Sequence, residues 1–268
     1  MEVNMGFYSR SFTYGGQPSE LYGLEIASTN TGMISGNGSG NVSILESYIY
    51  RKPKPYFYGV TFDSKLSFDV SFFSKNEISA EDASGIQNWL FGSNVYRKLV
   101  ITQGDMSSIY FNCIFTNPTI LKAGNLLYGF SATAICDSQF AWTYPQTILY
   151  TFSGSYVDST TDFYNDSHYQ GYLYPQITIN MNGVTNGLAR IINVSDNNRI
   201  FQFTDLNPYE NIIVDNELGI ITSNSGFKRL KNFNKNFLRL IPMGNRLIFQ
   251  GNITSISMSY QFARRLGG

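Results

Sequence analysis

Short runs of alternating apolar and polar residues recur along this chain, with the period of two that sets one face of a strand on a core. Leu66, Phe68, Val70 and Phe72 alternate with Ser67, Asp69 and Ser71, and Ile109, Phe111, Cys113 and Phe115 repeat the pattern. In the second half Ile177, Ile179 and Met181 precede the turn signal Asn182-Gly183. Ile256, Met258, Tyr260 and Phe262 then form a late stripe against Ser255, Ser257 and Ser259. Clusters of Gly, Asn, Asp and Ser separate the runs, which predicts a mainly β protein made of sandwiches or barrels.

One segment follows a different period. Ser79 is placed to cap a helix, Asp82 follows three residues later as in a capping box, and Ala83, Ile86 and Leu90 share a face before Gly92. A single helix is predicted over Ala80 to Phe91, anchored to a sheet by Trp89. Val42 to Tyr50 reads as a strand behind the turn-like stretch Ser35 to Asn41. Ser153 to Gly171 is polar, Tyr-rich and without periodicity, so a long exposed loop is expected there.

With 268 residues the chain has enough length for two domains, each with its own core. The expected boundary is at residue 134, where a strand-like run gives way to a turn-rich stretch, giving domains 1–134 and 135–268.

Composition adds a hint of assembly. Aromatic residues make up 16% of the chain and charged residues only 14%, a balance that protects a lone surface poorly against association. Lys plus Arg and Asp plus Glu are 19 each, so no global field draws the protein to nucleic acid or anionic lipid. Neither a signal-peptide core at the start nor a run of about twenty apolar residues occurs, so a membrane partner is not expected and synthesis in the cytosol is. Cys113 and Cys136 read as reduced and buried, with a disulfide between neighbouring strands as the alternative.

The residues that could carry chemistry are few. His168 is the only histidine, so any Ser/His/Asp or Cys/His mechanism and any histidine-based zinc site must pass through it, and no Gly-x-Ser-x-Gly elbow is present. Asp158, Asp162 and Asp166 recur every four residues in a non-helical context, where the spacing does not imply a shared face. Calcium is the only metal such a loop suggests, and the EF-hand pattern is absent. Asp63, Asp69, Asp205 and Glu210 offer carboxylates without a reason to pair any two. The stretch Ser35 to Asn41 lacks the Lys-Ser/Thr of a phosphate cradle. Lys228, Arg229, Lys231, Lys235 and Arg239 form one basic cluster among Phe227, Phe233 and Phe237, read as a solvated face or a contact to an acidic partner. The expectation is therefore a non-enzyme with no catalytic, cofactor-binding or metal residues, no cofactor, and unknown ligand residues.

The order of motifs resembles the distal tail protein family of long-tailed, siphovirus-type bacteriophages. Phe12, Tyr14, Gly15 and Gly16 with Tyr22, Gly23 and Leu24 are similar to its opening. Lys65 to Phe68, Ile78 to Asp82 and Ile86 to Phe91 resemble its central strand, capping turn and helix, and Tyr110 to Cys113 with Cys136 to Trp142 its domain junction. Asn245 to Leu247, Gly251 to Ile253 and Tyr260 to Arg265 resemble its closing strands. The resemblance implies an N-terminal β-sandwich with one α-helix that forms a homohexameric ring, followed by a galectin-like β-sandwich. It implies a hub at the virion tail tip, assembled in the host bacterial cytoplasm, that joins tail tube to host-adsorption apparatus. Its implied partners are the major tail or tail-tube protein, the tape measure protein, and a tail-associated lysin or receptor-binding proteins. A receptor-binding or carbohydrate-binding component of the tail tip or baseplate is the alternative.

Overall fold

A computed structural model describes residues 11–27, 42–62, 65–104 and 106–265. The chain forms two compact units, residues 1–143 with 264–268 and residues 144–263. The boundary expected at 134 lies inside a strand, Leu126–Cys136, whose backbone is bonded on both sides; the units part seven residues beyond that strand.

The first unit contains β1 (Phe12–Tyr14), β2 (Gln17–Pro18), β3 (Leu24–Ala27), β4 (Val42–Ser47), β5 (Tyr56–Phe62), β6 (Ser67–Ser74), α1 (Ala80–Phe91), β7 (Arg97–Ile101), β8 (Ile109–Ala123), β9 (Leu126–Cys136) and β10 (Ala141–Thr143). Hydrogen bonding runs through one sheet in the order β2-β1-β7-β8-β9-β6-β3, with β10 on β8. β1 and β6 are four places apart in that order, yet the rings of Phe12 and Phe72 lie 4.9 Å apart. The sheet therefore curls until β1 and β6 face each other across the core.

α1 packs one face onto that core. The Ser79 hydroxyl accepts from the Asp82 amide at 3.1 Å and donates to the Asp82 carboxylate, and Ile86, Trp89 and Leu90 are buried. Trp89 stacks on Tyr22 at 4.2 Å and donates its indole N–H to the Tyr14 carbonyl at 3.0 Å. An anchor of this size contributes roughly 1.5–3 kcal/mol from burial. Cys113 and Cys136 stand directly opposite on β8 and β9 as free, buried thiols.

The second unit contains β11 (Gln146–Thr151), β12 (Val157–Asn165), β13 (Gln176–Met181), β14 (Gly187–Asn193), β15 (Arg199–Leu206), β16 (Asn211–Asp215), β17 (Ile220–Ser223), β18 (Met243–Gly251) and β19 (Ile253–Tyr260). A five-stranded sheet, β11-β19-β13-β16-β17, and a four-stranded sheet, β12-β18-β14-β15, are both antiparallel. Their inner faces meet in a sandwich. Phe249 of β18 lies 4.9 Å from Tyr150 of β11, and Phe163 of β12 meets Tyr260 of β19 edge-on at 5.0 Å. Gly251 ends β18 at φ +127°, where a Cβ would strike the Leu188 carbonyl, so the strand approaches β14 only with glycine there.

β12 corrects the loop expected over Ser153 to Gly171. Val157, Phe163 and Asn165 are buried, while Asp158, Asp162 and Tyr164 face out, and all nine residues pair with β18. The inward apolar residues sit only at the ends of the strand, too sparse for the alternation to register as sequence. The strand also places Asp158 and Asp162 on one outward face, because a period of two brings residues four apart to the same side.

Candidate functional site

β4 and β5 form a sheet of their own. The strands that flank this hairpin in sequence, β3 and β6, pair directly with each other from Leu24–Ser74 to Ala27–Ser71, so the hairpin is an excursion that the main sheet does not need. From residue 43 to residue 61 no side chain is buried. The sequence is nevertheless rich in apolar strand formers: Ile44, Leu45, Tyr56, Phe57, Tyr58 and Val60 in the strands, Tyr48, Ile49 and Tyr50 at the turn.

Consecutive strand residues point to opposite faces, so Ile44 with its partner Val60 makes one face of the arm apolar and Leu45 the other, while Tyr58 falls at the register shift between Leu45 and Glu46. Tyr50 is 86% exposed, Tyr58 69% and Phe57 66%. A lone two-stranded hairpin is marginal in water, and a two-sided apolar surface of this kind marks an interaction site. Glu46 is the only charged side chain in the two strands, and the cations lie at the tip, where Lys52 donates to the Tyr56 hydroxyl at 2.6 Å. Sequence reasoning recognised a strand at 42–50 and gave it no role. The usable signal was apolar character on both faces of a strand in a chain whose other strands alternate.

The residues considered for chemistry are dispersed or already engaged. Asp162 pairs with Arg246 at 3.1 Å, and the Gln250 amide donates to Asp158. His168 is exposed, with its backbone amide bonded to the Ala263 carbonyl. Burial pushes the Cys113 and Cys136 thiols up, Cys136 to about 12, which leaves no thiolate nucleophile at neutral pH. Asp69 accepts from the Thr133 hydroxyl. Asp63 and the stretch Ser35 to Asn41 lie outside the described residues. Among the described residues no group of three or more His, Cys, Asp and Glu side chains is placed to hold a metal, and no helix is long and apolar enough to cross a membrane.

The basic cluster expected to be one face is divided. Arg229 is buried and makes a two-pronged pair with Glu210, its Nε lying 2.7 Å from Oε1. Burial by itself would raise the Glu210 carboxyl. Arg229, the Ser223 and Ser225 hydroxyls and the Asn207 amide outweigh it and hold the group at about 2. Arg239 pairs with Asp196 through two bonds, at 2.8 and 3.2 Å. Only Lys228, Lys231 and Lys235 remain as exposed cations, because two of the five side chains serve partners 19 and 43 residues away.

Comparison with known proteins gives the family. A phage tail protein N-terminal domain model matches residues 7–138, and a phage tail C-terminal domain model matches residues 140–260. No curated protein matches in sequence. Among solved structures, the Dit protein of phage SPP1, described as a paradigm of the hub adsorption apparatus in phages infecting Gram-positive hosts, is similar in fold. The TM-score is 0.69 at 11% identity, over 94% of this chain and 98% of that one. A chain of the activated phage p2 baseplate gives 0.50 at 9% identity, over 94% and 97%. With both halves matched in order, this chain belongs to the phage tail protein family defined by those two domains.

Proposed function

We propose that the protein is a distal tail hub: six copies close into a ring at the virion tail tip, joining the tail tube to the host-adsorption apparatus. The single observation that carries this reading is the arm of β4 and β5, a pair of strands with apolar side chains on both faces and no core of its own. A second copy of the chain is its partner, because a heterologous contact repeated around an axis closes a ring and covers every arm alike.

In this reading the first unit forms the ring, and the second is a galectin-like sandwich displayed from it. The tail-tube protein and the tape measure protein meet the ring, and a tail-associated lysin or receptor-binding proteins attach to it. Assembly takes place in the host bacterial cytoplasm. The role is structural rather than catalytic, which fits carboxylates and thiols that are already neutralised or buried.

Purified protein is expected to show the mass of six chains by light scattering and six-fold rings by electron microscopy. A stable monomer at micromolar concentration, both alone and mixed with tail-tube protein, would overturn the reading.

A further inference from the structure

Both cysteines of the chain fall on a single cross-strand pair. Cys113 of β8 stands opposite Cys136 of β9, and each is wholly buried in the core of the first unit. The hydrogen bonds around them fix the kind of pair they make. One step further in the same register Asn112 faces Asp137, and the Asn112 carbonyl accepts from the Asp137 amide at 2.9 Å. The Cys136 amide instead donates away from β8, to the Leu66 carbonyl at 2.9 Å, and the Cys113 carbonyl accepts from the Tyr14 hydroxyl. The backbone groups of the two cysteines therefore turn away from each other, which makes 113 and 136 a non-hydrogen-bonded pair.

That register decides what the thiols can do. In an antiparallel sheet the Cα atoms of such a pair approach to about 4.5 Å with both side chains on one face, within the range of about 4.4–6.8 Å that a disulfide spans. The neighbouring pair on that face sets Phe115 against Ala134, large against small, whereas at 113 and 136 both side chains are small. Joining the two sulfurs adds no atom to the core. Both thiols are free in this structure, and burial holds them protonated, so the folded, reduced chain is slow to oxidise. The bond forms as the chain folds, or as the base of the β8–β9 hairpin opens, while an oxidant is present.

We propose that Cys113 and Cys136 are a latent disulfide site, a cross-strand staple that stays reduced in a reducing compartment and closes against a small disulfide oxidant. One cysteine, as thiolate, attacks the oxidant and releases a first small thiol; the second cysteine then attacks the mixed disulfide and releases the other. One S–S bond breaks and one forms, and two electrons and two protons pass from the cysteines to the oxidant. The site requires neither the arm nor the ring, so its failure leaves the hub reading untouched.

The test is refolding of the full chain from urea in a buffer of reduced and oxidised glutathione, quenched with acid and digested with trypsin. Cleavage after Lys122 separates the two cysteines, so the bond is read by mass as a linked pair of peptides. The ratio of bonded to free cysteines should be about a hundredfold higher in native buffer than in urea with the same glutathione, the factor expected for a loop of this length. The bonded chain should also have a higher thermal midpoint than the reduced one. Two free thiols after refolding, a bond between chains, or a ratio no higher than in urea each overturns the proposal. So does a lower thermal midpoint, which would mean that the bond strains the sheet.

Discussion

The hairpin β4–β5 and the strand β12 are both poorly neighboured, yet they manage their edges in opposite ways. β12 pairs only with β18, and it places Asp158 and Asp162 on its outward face, which discourages another strand from adding there. It is held by Val157 and Phe163, which reach into a core shared by two sheets. Among the described residues the hairpin has two unpaired outer edges, one strand charge at Glu46, and no side chain in the core of its unit. An edge that ends a domain is blunted, whereas an edge left apolar on both faces is one that the proposed ring would cover.

The sharpest way to break this comparison is to exchange the loads. Phe163→Ala should cost about 3–5 kcal/mol in urea unfolding, the usual loss for a buried phenylalanine. Replacing Phe57 and Tyr58 together by aspartate should leave that stability within about 0.5 kcal/mol, as for surface substitutions, while converting the closed oligomer to monomer. An arm variant that loses several kcal/mol as a monomer would mean the hairpin packs on its own unit, and the contrast would fail.

These two regions also mark the limits of what the sequence discloses. The helix Ala80–Phe91 and its Ser79 cap were readable because capping and helical spacing are local, and strands such as Gln176–Met181 were readable because their alternation is unbroken. β12 was not, since Ser159 and Thr161 occupy inward positions between its apolar ends and the register is imposed by β18. The hairpin was readable as a strand but not as a surface. Exposure depends on what the main sheet leaves out, and that is decided by the direct pairing of β3 with β6. Arg229 and Arg239 looked like surface charge because Glu210 and Asp196 reach them only through the fold.

Acid sharpens the comparison further, because among the described residues only the second unit has a buried ion pair to lose. Glu210 is held at about 2, below the ordinary glutamate value of 4.5. A depressed carboxyl contributes stability that is complete above the unfolded value and disappears as pH falls through the folded one. Lowering pH from about 4.5 to about 2 should therefore remove on the order of 3 kcal/mol attributable to this group. Glu210→Gln should show a profile flatter by that amount in the same window, measured by urea unfolding at each pH. Equal acid sensitivity in both chains would mean that the pair contributes little.

The smallest expected effect asks whether the outward face of β12 helps to set its register. Arg246 bonds to Asp162 at 3.1 Å, but both side chains are well exposed. A pair of this kind is screened by solvent and costs side-chain freedom to hold, so Arg246→Ala should lower stability only slightly, and less at high salt. The inward residues then account for the strand, and Phe163→Ala remains several times more damaging. A loss from Arg246→Ala comparable with that of Phe163→Ala would show that β12 is clamped from its solvent side. The difference between a blunted edge and a packed one would then need another cause.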